Sequence, residues 1–464
     1  MIKVLLATLA ALGLTATSAS AEPSAEERAR SLEIFRHIIG LDTSVEGQRT
    51  PEMAAYLAAH LRDASFPEED IHVIPFEHTA ALVVRWRGDG SGGRSIVLMA
   101  HMDVVTAHRS DWERDPFTLI EEDGFFFGRG TLDNKAGIAN LVSTFIQLRS
   151  EGFTPTRDLI LAFTGDEETD PRTAQLLLDE HRDLLGDPEF ALNSDAGGGG
   201  LRPNGTPSVY VMQTAEKTFA TYTLTAHNPG GHSSAPRADN AIYDLSQALE
   251  RLRAYAFPVR WNDTTIASLR DNAGAVGGDL GAAMARFARR PGDARAAARI
   301  SREPSMVGQV RTTCVATRLE AGHADNALPQ SAVATVNCRI FPGTSIEEVQ
   351  ARLQDIAGDD IEIALKVGLP ASDPSPLRED VMAAVARAVH QHYPDTPITP
   401  AQSAYYTDGM FYRAAGIPTY GVGEIFIRSS DAFAHGLNER IPAEAFYNGL
   451  DHWRSLLTDL AGPR

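Results

Sequence analysis

Three apolar segments of this chain each run into residues carrying carboxylates or an imidazole, a pattern that points to an α/β sheet with a site along one edge. Ser95-Ile-Val-Leu-Met-Ala100 reads as a strand buried on both faces and leads into His101-Met-Asp103. Asp158-Leu-Ile-Leu-Ala-Phe-Thr164 reads the same way and is broken by Gly165 before Asp166-Glu167-Glu168. Phe190 to Asn193 is a third strand, followed by Asp195 and the glycine run Gly197 to Gly200. Between the first two, Gly128-Arg-Gly-Thr-Leu-Asp133 makes a glycine turn ahead of an amphipathic helix expected over 136–148. Continuous apolar runs, rather than alternating ones, suit central strands covered by helices on both faces. Ligands of open α/β sheets gather beyond the carboxyl ends of strands. His101, Asp133, Glu167, Glu168, Asp195 and the distant His435 can therefore converge.

With 464 residues the chain exceeds one ordinary core, so two domains are the default. Helical periodicity over 25–41 and 51–64, then strands alternating with helices up to residue 215, describes a sheet with helices on both faces. Near Glu216 the character changes. Strands over 218–226, 310–317, 332–340 and 361–367, with helices over 240–253 and 346–356, follow the order β-α-β-β-α-β of a small ferredoxin-like domain. An Ala/Arg-rich stretch from Leu280 to Ile300 is expected as a helical insertion within it. From about Pro374 the helix–strand alternation returns, with a last helix over 444–460. The expected organisation is a leader (1–21), a three-layer α/β catalytic domain with a mixed sheet (22–215 and 373–464), and an inserted α+β domain (216–372).

The leader reads as a secretory signal. Lys3 precedes an apolar stretch from Val4 to Leu14, and Ala19-Ser20-Ala21 is a cleavage site, so a secreted or periplasmic protein is expected. No later segment approaches about 18 consecutive apolar residues, so no membrane span is expected. A net charge of -19 argues against nucleic acid as a partner. In an oxidising compartment Cys314 and Cys338 can pair, because they fall roughly opposite each other if their strands form a hairpin; two buried thiols are the alternative.

Each candidate also has an ordinary explanation. His101-x-Asp103 can be a surface pair, Asp133 and the Asp166–Glu168 run can serve helix N-termini, and Asp195 can be a turn aspartate. What these explanations leave out is the joint occurrence at successive strand ends. At a strand end, residues two apart share a face, so Asp103 can hold the His101 ring and leave its other nitrogen for a metal. Two adjacent glutamates after a buried strand can divide the work, one as ligand and one as base.

This order of motifs resembles the di-zinc carboxypeptidase and aminoacylase family of metallo-exopeptidases. The resemblance is carried by Ala100-His-Met-Asp103, Gly128-Arg-Gly-Thr-Leu-Asp-Asn-Lys135, Thr164-Gly-Asp-Glu-Glu168, Gly230-Gly-His-Ser-Ser234 and Asp325-Asn-Ala-Leu-Pro329. It implies a zinc-exopeptidase-like fold. It also implies two divalent metals, zinc first and cobalt or manganese as substitutes. One would sit on His101 and Asp195, the other on Glu168 and His435, with Asp133 bridging. Glu167 would be the general base for a metal-bridged hydroxide, Asp103 the partner of His101, and the Asp133–Asn134 peptide cis. His232 would stabilise the oxyanion from across a dimer interface, and Asn326 and Arg339 would face the substrate. A turn histidine and a solvated strand arginine remain the plain readings of His232 and Arg339. Tyr406-Thr-Asp408-Gly409 departs from the family's usual residues near the substrate end. The implied activity is hydrolysis of a C-terminal peptide or amide bond, with N-acyl-amino-acid or dipeptide hydrolysis as the alternative. A metal-binding scaffold without turnover would have no need of Glu167.

Overall fold

The computed structural model describes residues 23–463. The expected leader lies outside the described residues. Among the described ones, no helix is long and apolar enough to cross a membrane.

A ten-stranded mixed sheet organises the larger part of the chain. Ser95–His101 and Leu159–Thr164, buried along their whole length, pair in parallel at its centre, with Pro188–Asn193 parallel on the other side of Ser95–His101. Ile71–Phe76 and Thr79–Trp86 extend one edge as an antiparallel hairpin. Thr419–Gly421, Pro207–Glu216, Gly198–Leu201 and Phe426–Arg428 extend the other. Burial on both faces follows from helices on both sides. Leu82, Leu98 and Leu161 pack with helices Ala25–Ile39, Lys135–Ser150, Glu379–His390 and Ala443–Ala461. Their chain neighbours Val83, Val97 and Ile160 face Arg172–Asp179 and Gly409–Ala414. The mixed α/β fold with helices on both faces is thus the one the apolar runs predicted.

Residues 218–368 build a second sheet with its own core, in the order Thr313–Ala321, Ser331–Ile340, Thr218–His227, Ile361–Gly368. All its neighbours are antiparallel. Helices Ala241–Ala254 and Ile346–Ala357 cover one face, which gives the ferredoxin-like arrangement. Cys314 lies directly opposite Cys338 and the two form a disulfide.

Three features were not expected. The helical insertion is longer than Leu280 to Ile300: it begins with Asp263–Val276, followed by Gly278–Arg289 and Ala294–Ile300. The first of these helices carries mostly small or polar residues, Thr and Ala foremost, so its apolar stripe is faint, although Asn262 and Thr265 form a capping box. It lies against Ile398–Ser403, with the Thr264 and Thr214 hydroxyls 2.7 Å apart and Asn262 donating to Gln402. Second, the glycine run after Asp195 carries a strand, Gly198–Leu201. Glycine is depleted in strands, which hides this one from pattern reading. Third, Phe125–Phe127 pairs with Ile120–Glu122 on one side and Arg440–Pro442 on the other, a short sheet that fastens the turn before Asp133 to the segment after His435.

Candidate active site

The strand ending at His101 places its imidazole in a buried position, only 1% exposed. Its Nδ1 lies 3.1 Å from the Asp103 carbonyl oxygen and 3.5 Å from that residue's carboxylate. The nearest acceptor is therefore the main chain and not the Asp103 side chain expected from the spacing. The Asp103 carboxylate instead accepts the backbone N–H groups of Glu167 and Glu168, at 3.1 and 2.9 Å. It holds the turn that carries both glutamates. Asp166, first in that acidic run, turns away and accepts from the Arg172 and Thr173 amides at the start of the following helix.

With Nδ1 so occupied, His101 Nε2 faces Asp133 Oδ1 at 2.8 Å and Asp195 Oδ1 at 3.3 Å. The other Asp133 oxygen lies 3.2 Å from His435 Nε2, which is also 2.9 Å from Glu168. Two groups of candidate ligands result, His101–Asp133–Asp195 and Asp133–Glu168–His435, with one oxygen of Asp133 turned to each. The Asp133–Asn134 peptide is cis, as the resemblance implied.

Four carboxylates, Asp133, Glu167, Glu168 and Asp195, line one cleft of about 880 Å³. Burial and the charge of Asp195 push the Glu167 carboxyl well above the usual carboxylate range. Burial raises Asp195 to about 7. Hydrogen bonds to Asp133 and Glu168 lift the His435 imidazole to about 10. Such crowding of like charges is costly unless cations compensate it. Two imidazole nitrogens and three carboxylates in two groups sharing a bridge also suit a pair of divalent ions. The residues fit the metals implied by the sequence.

Sequence reading missed Glu439. Fully buried, it accepts the Leu132 and Asp133 amides on one oxygen, at 2.7 and 3.1 Å. Its other oxygen accepts from Arg129 at 2.6 Å, and Arg129 reaches the His435 carbonyl. An acid four residues past a candidate ligand histidine was the available signal, but its partners lie some 310 residues away in sequence.

The substrate-facing candidates separate. Arg339 lines the same cleft, its guanidinium 4.6 Å from the Phe219 ring centre and donating to the Ala404 carbonyl. Among the described residues it pairs with no carboxylate. Tyr406 lines the cleft with Arg339, and burial, followed by the charges of Glu167, Glu168 and Asp408, raises its hydroxyl to about 12. His232 and Asn326 do not join this cleft. His232 lies on a two-stranded ribbon, Gly231–His232 with Ala327–Leu328, Asn326 stands in the turn just before the second strand, and both are exposed. The Ser234 amide donates to His232 Nδ1, so the ring carries its proton on Nε2.

The profile of Peptidase family M20/M25/M40 matches residues 97–459. The chain belongs to that family. Like other M20 members it is thereby a hydrolase of the peptidase and amidohydrolase type. The human N-fatty-acyl-amino acid synthase/hydrolase PM20D1 is 29% identical over 364 residues, spanning 75% of this chain and 71% of the relative. Probable carboxypeptidase S-like 2 of Dictyostelium discoideum is 26% identical, over 81% of this chain and 74% of its own. Among solved structures, the M20 metallo-carboxypeptidase Sso-CP2 of Sulfolobus solfataricus superposes with a TM-score of 0.68 at 18% identity, covering 93% of this chain and 99% of that one. That likeness extends the M20 fold to nearly the whole chain.

Proposed function

We propose that this chain is a two-metal exohydrolase that cuts an amide bond next to a free carboxylate. One observation carries the reading: Arg339 stands without a carboxylate partner in the cleft that holds the paired ligand groups. A planar guanidinium meets a carboxylate in a bidentate fork, and an unpaired one in a partly closed site is costly. Asp133, shared between His101 with Asp195 and Glu168 with His435, would hold the metal pair. Zinc suits these ligands best, and cobalt or manganese would also bind. When bound, such ions polarise the scissile carbonyl and make water acidic near neutral pH.

The rest falls to the protein. Glu167, whose carboxyl is raised by burial and by Asp195, takes the proton of the attacking water and returns it to the leaving nitrogen. Asp103 positions that glutamate through its backbone. The Nε2–H of His232, exposed on its ribbon, suits an oxyanion donor supplied to the cleft of a second copy, with Asn326 beside it. The leader over residues 1–21 supports a secreted or periplasmic location, and the Cys314–Cys338 disulfide suits an oxidising compartment.

A C-terminal peptide bond and an N-acyl amino acid both fit this chemistry. One observation favours the second. Among the described residues, every carboxylate lining the cleft belongs to the candidate ligand set or is Glu167, so none of them is left to pair with the free amino group of a dipeptide. The name of the human relative agrees with that preference.

Kinetics on matched free-acid and C-terminal amide substrates, with metal-loaded wild type and Arg339→Ala, test the reading. The wild type should prefer the acid, and the variant should lose roughly 10- to 100-fold in kcat/KM on the acid alone. Equal turnover of acid and amide by the wild type would remove the role given to Arg339.

A further inference from the structure

Three strands beyond Asp195 shape the far side of the cleft. Gly198–Leu201 runs between Pro207–Glu216 and Phe426–Arg428. Side chains alternate across a sheet, so register decides which residues share a face. Gly199 is paired with Tyr210 on one side and Phe426 on the other, and both rings are buried in the main core. Gly198 and Gly200 therefore face the opposite way, into the cleft. Val211 stands there opposite Gly198, and Ile427 opposite Gly200, with Ile425 just ahead of it. The central strand is bare on this face while both neighbours carry aliphatic side chains.

Strand spacing sets the dimensions. Neighbouring strands lie ~4.8 Å apart, so the two aliphatic walls stand about 10 Å apart across exposed backbone. Four residues of strand give the floor a length of ~13 Å. The floor makes few polar demands, because its amides and carbonyls pair with the flanking strands. One end of this trough is at the metal site, since Gly197 and Gly198 come just after Asp195 and Ala196 in the chain and line the same cleft. Arg339 lines the same cleft as the trough. With its carboxylate portion on the arginine, a substrate whose amide bond is at the metals would leave its acyl portion for the glycines.

We propose that the trough over Gly198 and Gly200, walled by Val211, Ile425 and Ile427, holds a linear alkyl chain, so that the enzyme acts on amino acids N-acylated with medium or long alkanoyl groups. This rests on the amide-hydrolase reading above. Width selects a single unbranched chain, and a side chain on the floor would obstruct it. At Gly200 the backbone is not left-handed, and an added Cβ would meet the Ser208 hydroxyl at 2.7 Å, the movable end of a side chain. Gly198, at φ +108°, would be strained by any substitution, so Gly200 is the position to change.

Two measurements separate this proposal from the reading beneath it. The first is calorimetric titration with acetate, octanoate and dodecanoate, below micellar concentrations, on wild type, Gly200→Val and Ile427→Ser. Wild-type affinity should rise by up to about fourfold per buried methylene, and both variants should flatten the rise. The second is kcat/KM on N-acetyl-, N-octanoyl- and N-dodecanoyl-phenylalanine and the dipeptide Ala-Phe with metal-loaded enzyme. Wild type should gain roughly 100-fold or more from acetyl to dodecanoyl, with the dipeptide poorest. Chain-length-independent affinity overturns the trough whatever the turnover. A rising alkanoate affinity that both variants flatten, without hydrolysis of any of these amides, upholds the trough and overturns the reading. Ile427→Ser serves as the second test should Gly200→Val fold poorly.

Discussion

Glu439 offers no atom to either ligand group, yet it joins the two loops that carry them. Its carboxylate fixes the amides of Leu132 and Asp133, and through Arg129 it reaches the carbonyl of His435. Removing one member of a buried, hydrogen-bonded ion pair leaves the other charge uncompensated. Glu439→Ala should therefore lose about 3–5 kcal/mol of stability in denaturant titration. It should also weaken metal affinity by roughly 10- to 100-fold, the usual effect of losing a residue that orients a ligand. Unchanged metal affinity in a destabilised variant would restrict Glu439 to a structural part. Glu167→Gln tests the complementary case. Turnover should fall by about 10²–10⁴-fold while two metal equivalents remain by elemental analysis, because the residue is assigned as a base and not a ligand. Loss of an equivalent would reassign it. The contrast between these residues shows what the sequence could reveal. His101, Glu168 and Asp195 stand at or just beyond the ends of apolar strands, where local pattern marks them. Glu439 works through a partner distant in the chain, and such pairing leaves no local trace.

At the scale of elements, the strands legible in the sequence were those whose burial needs continuous apolar side chains, Ser95–His101 and Leu159–Thr164 above all. Gly198–Leu201 was not legible, because its contribution is the absence of side chains. Asp263–Val276 was missed because small residues suffice to lie against Ile398–Ser403. The C-terminal helix Ala443–Ala461 shows a different kind of hidden content. On its buried face His452 Nε2–H donates to the Val422 carbonyl at 2.9 Å. Burial, with the charge of His392 as a smaller cause, lowers this histidine from 6.5 to about 4. The folded chain keeps the ring neutral while the unfolded chain protonates it below about 6.5. Unfolded protein thus binds the extra proton between these values, so the contribution is complete above 6.5 and is lost as pH falls toward 4. Across that window wild type should lose roughly 3 kcal/mol more stability than His452→Gln, read from denaturant midpoints at each pH. Parallel pH profiles for the two proteins would show that His452 already titrates normally in the fold.

For the whole molecule, the question is whether one copy of the chain completes a site. The cleft holds the ligand groups, Glu167 and Arg339, but the ribbon with His232 and Asn326 does not line it. The second sheet meanwhile presents an edge strand, Thr313–Ala321, on which Val315 and Leu319 are 61% and 60% exposed. An uncovered edge with aliphatic side chains is a surface that a two-fold partner can cover, or a liability if nothing does. Pairing through it is expected to bring the ribbon of one copy to the cleft of the other. Val315→Lys with Leu319→Lys should then shift the protein from dimer to monomer in sedimentation and depress turnover without loss of metal. Mixing gives a sharper result. His232→Ala and Glu167→Gln should each be nearly inactive alone, since one would lack the proposed oxyanion donor and the other the proposed base. Refolded together in equal amounts, they would form mixed dimers in which one site has Glu167 from its own chain and His232 from the partner. Half of the dimers would be mixed and one of their two sites complete, so about a quarter of wild-type activity should return. No recovery, in a mixture shown to exchange subunits, would mean that His232 serves its own chain or takes no part in turnover.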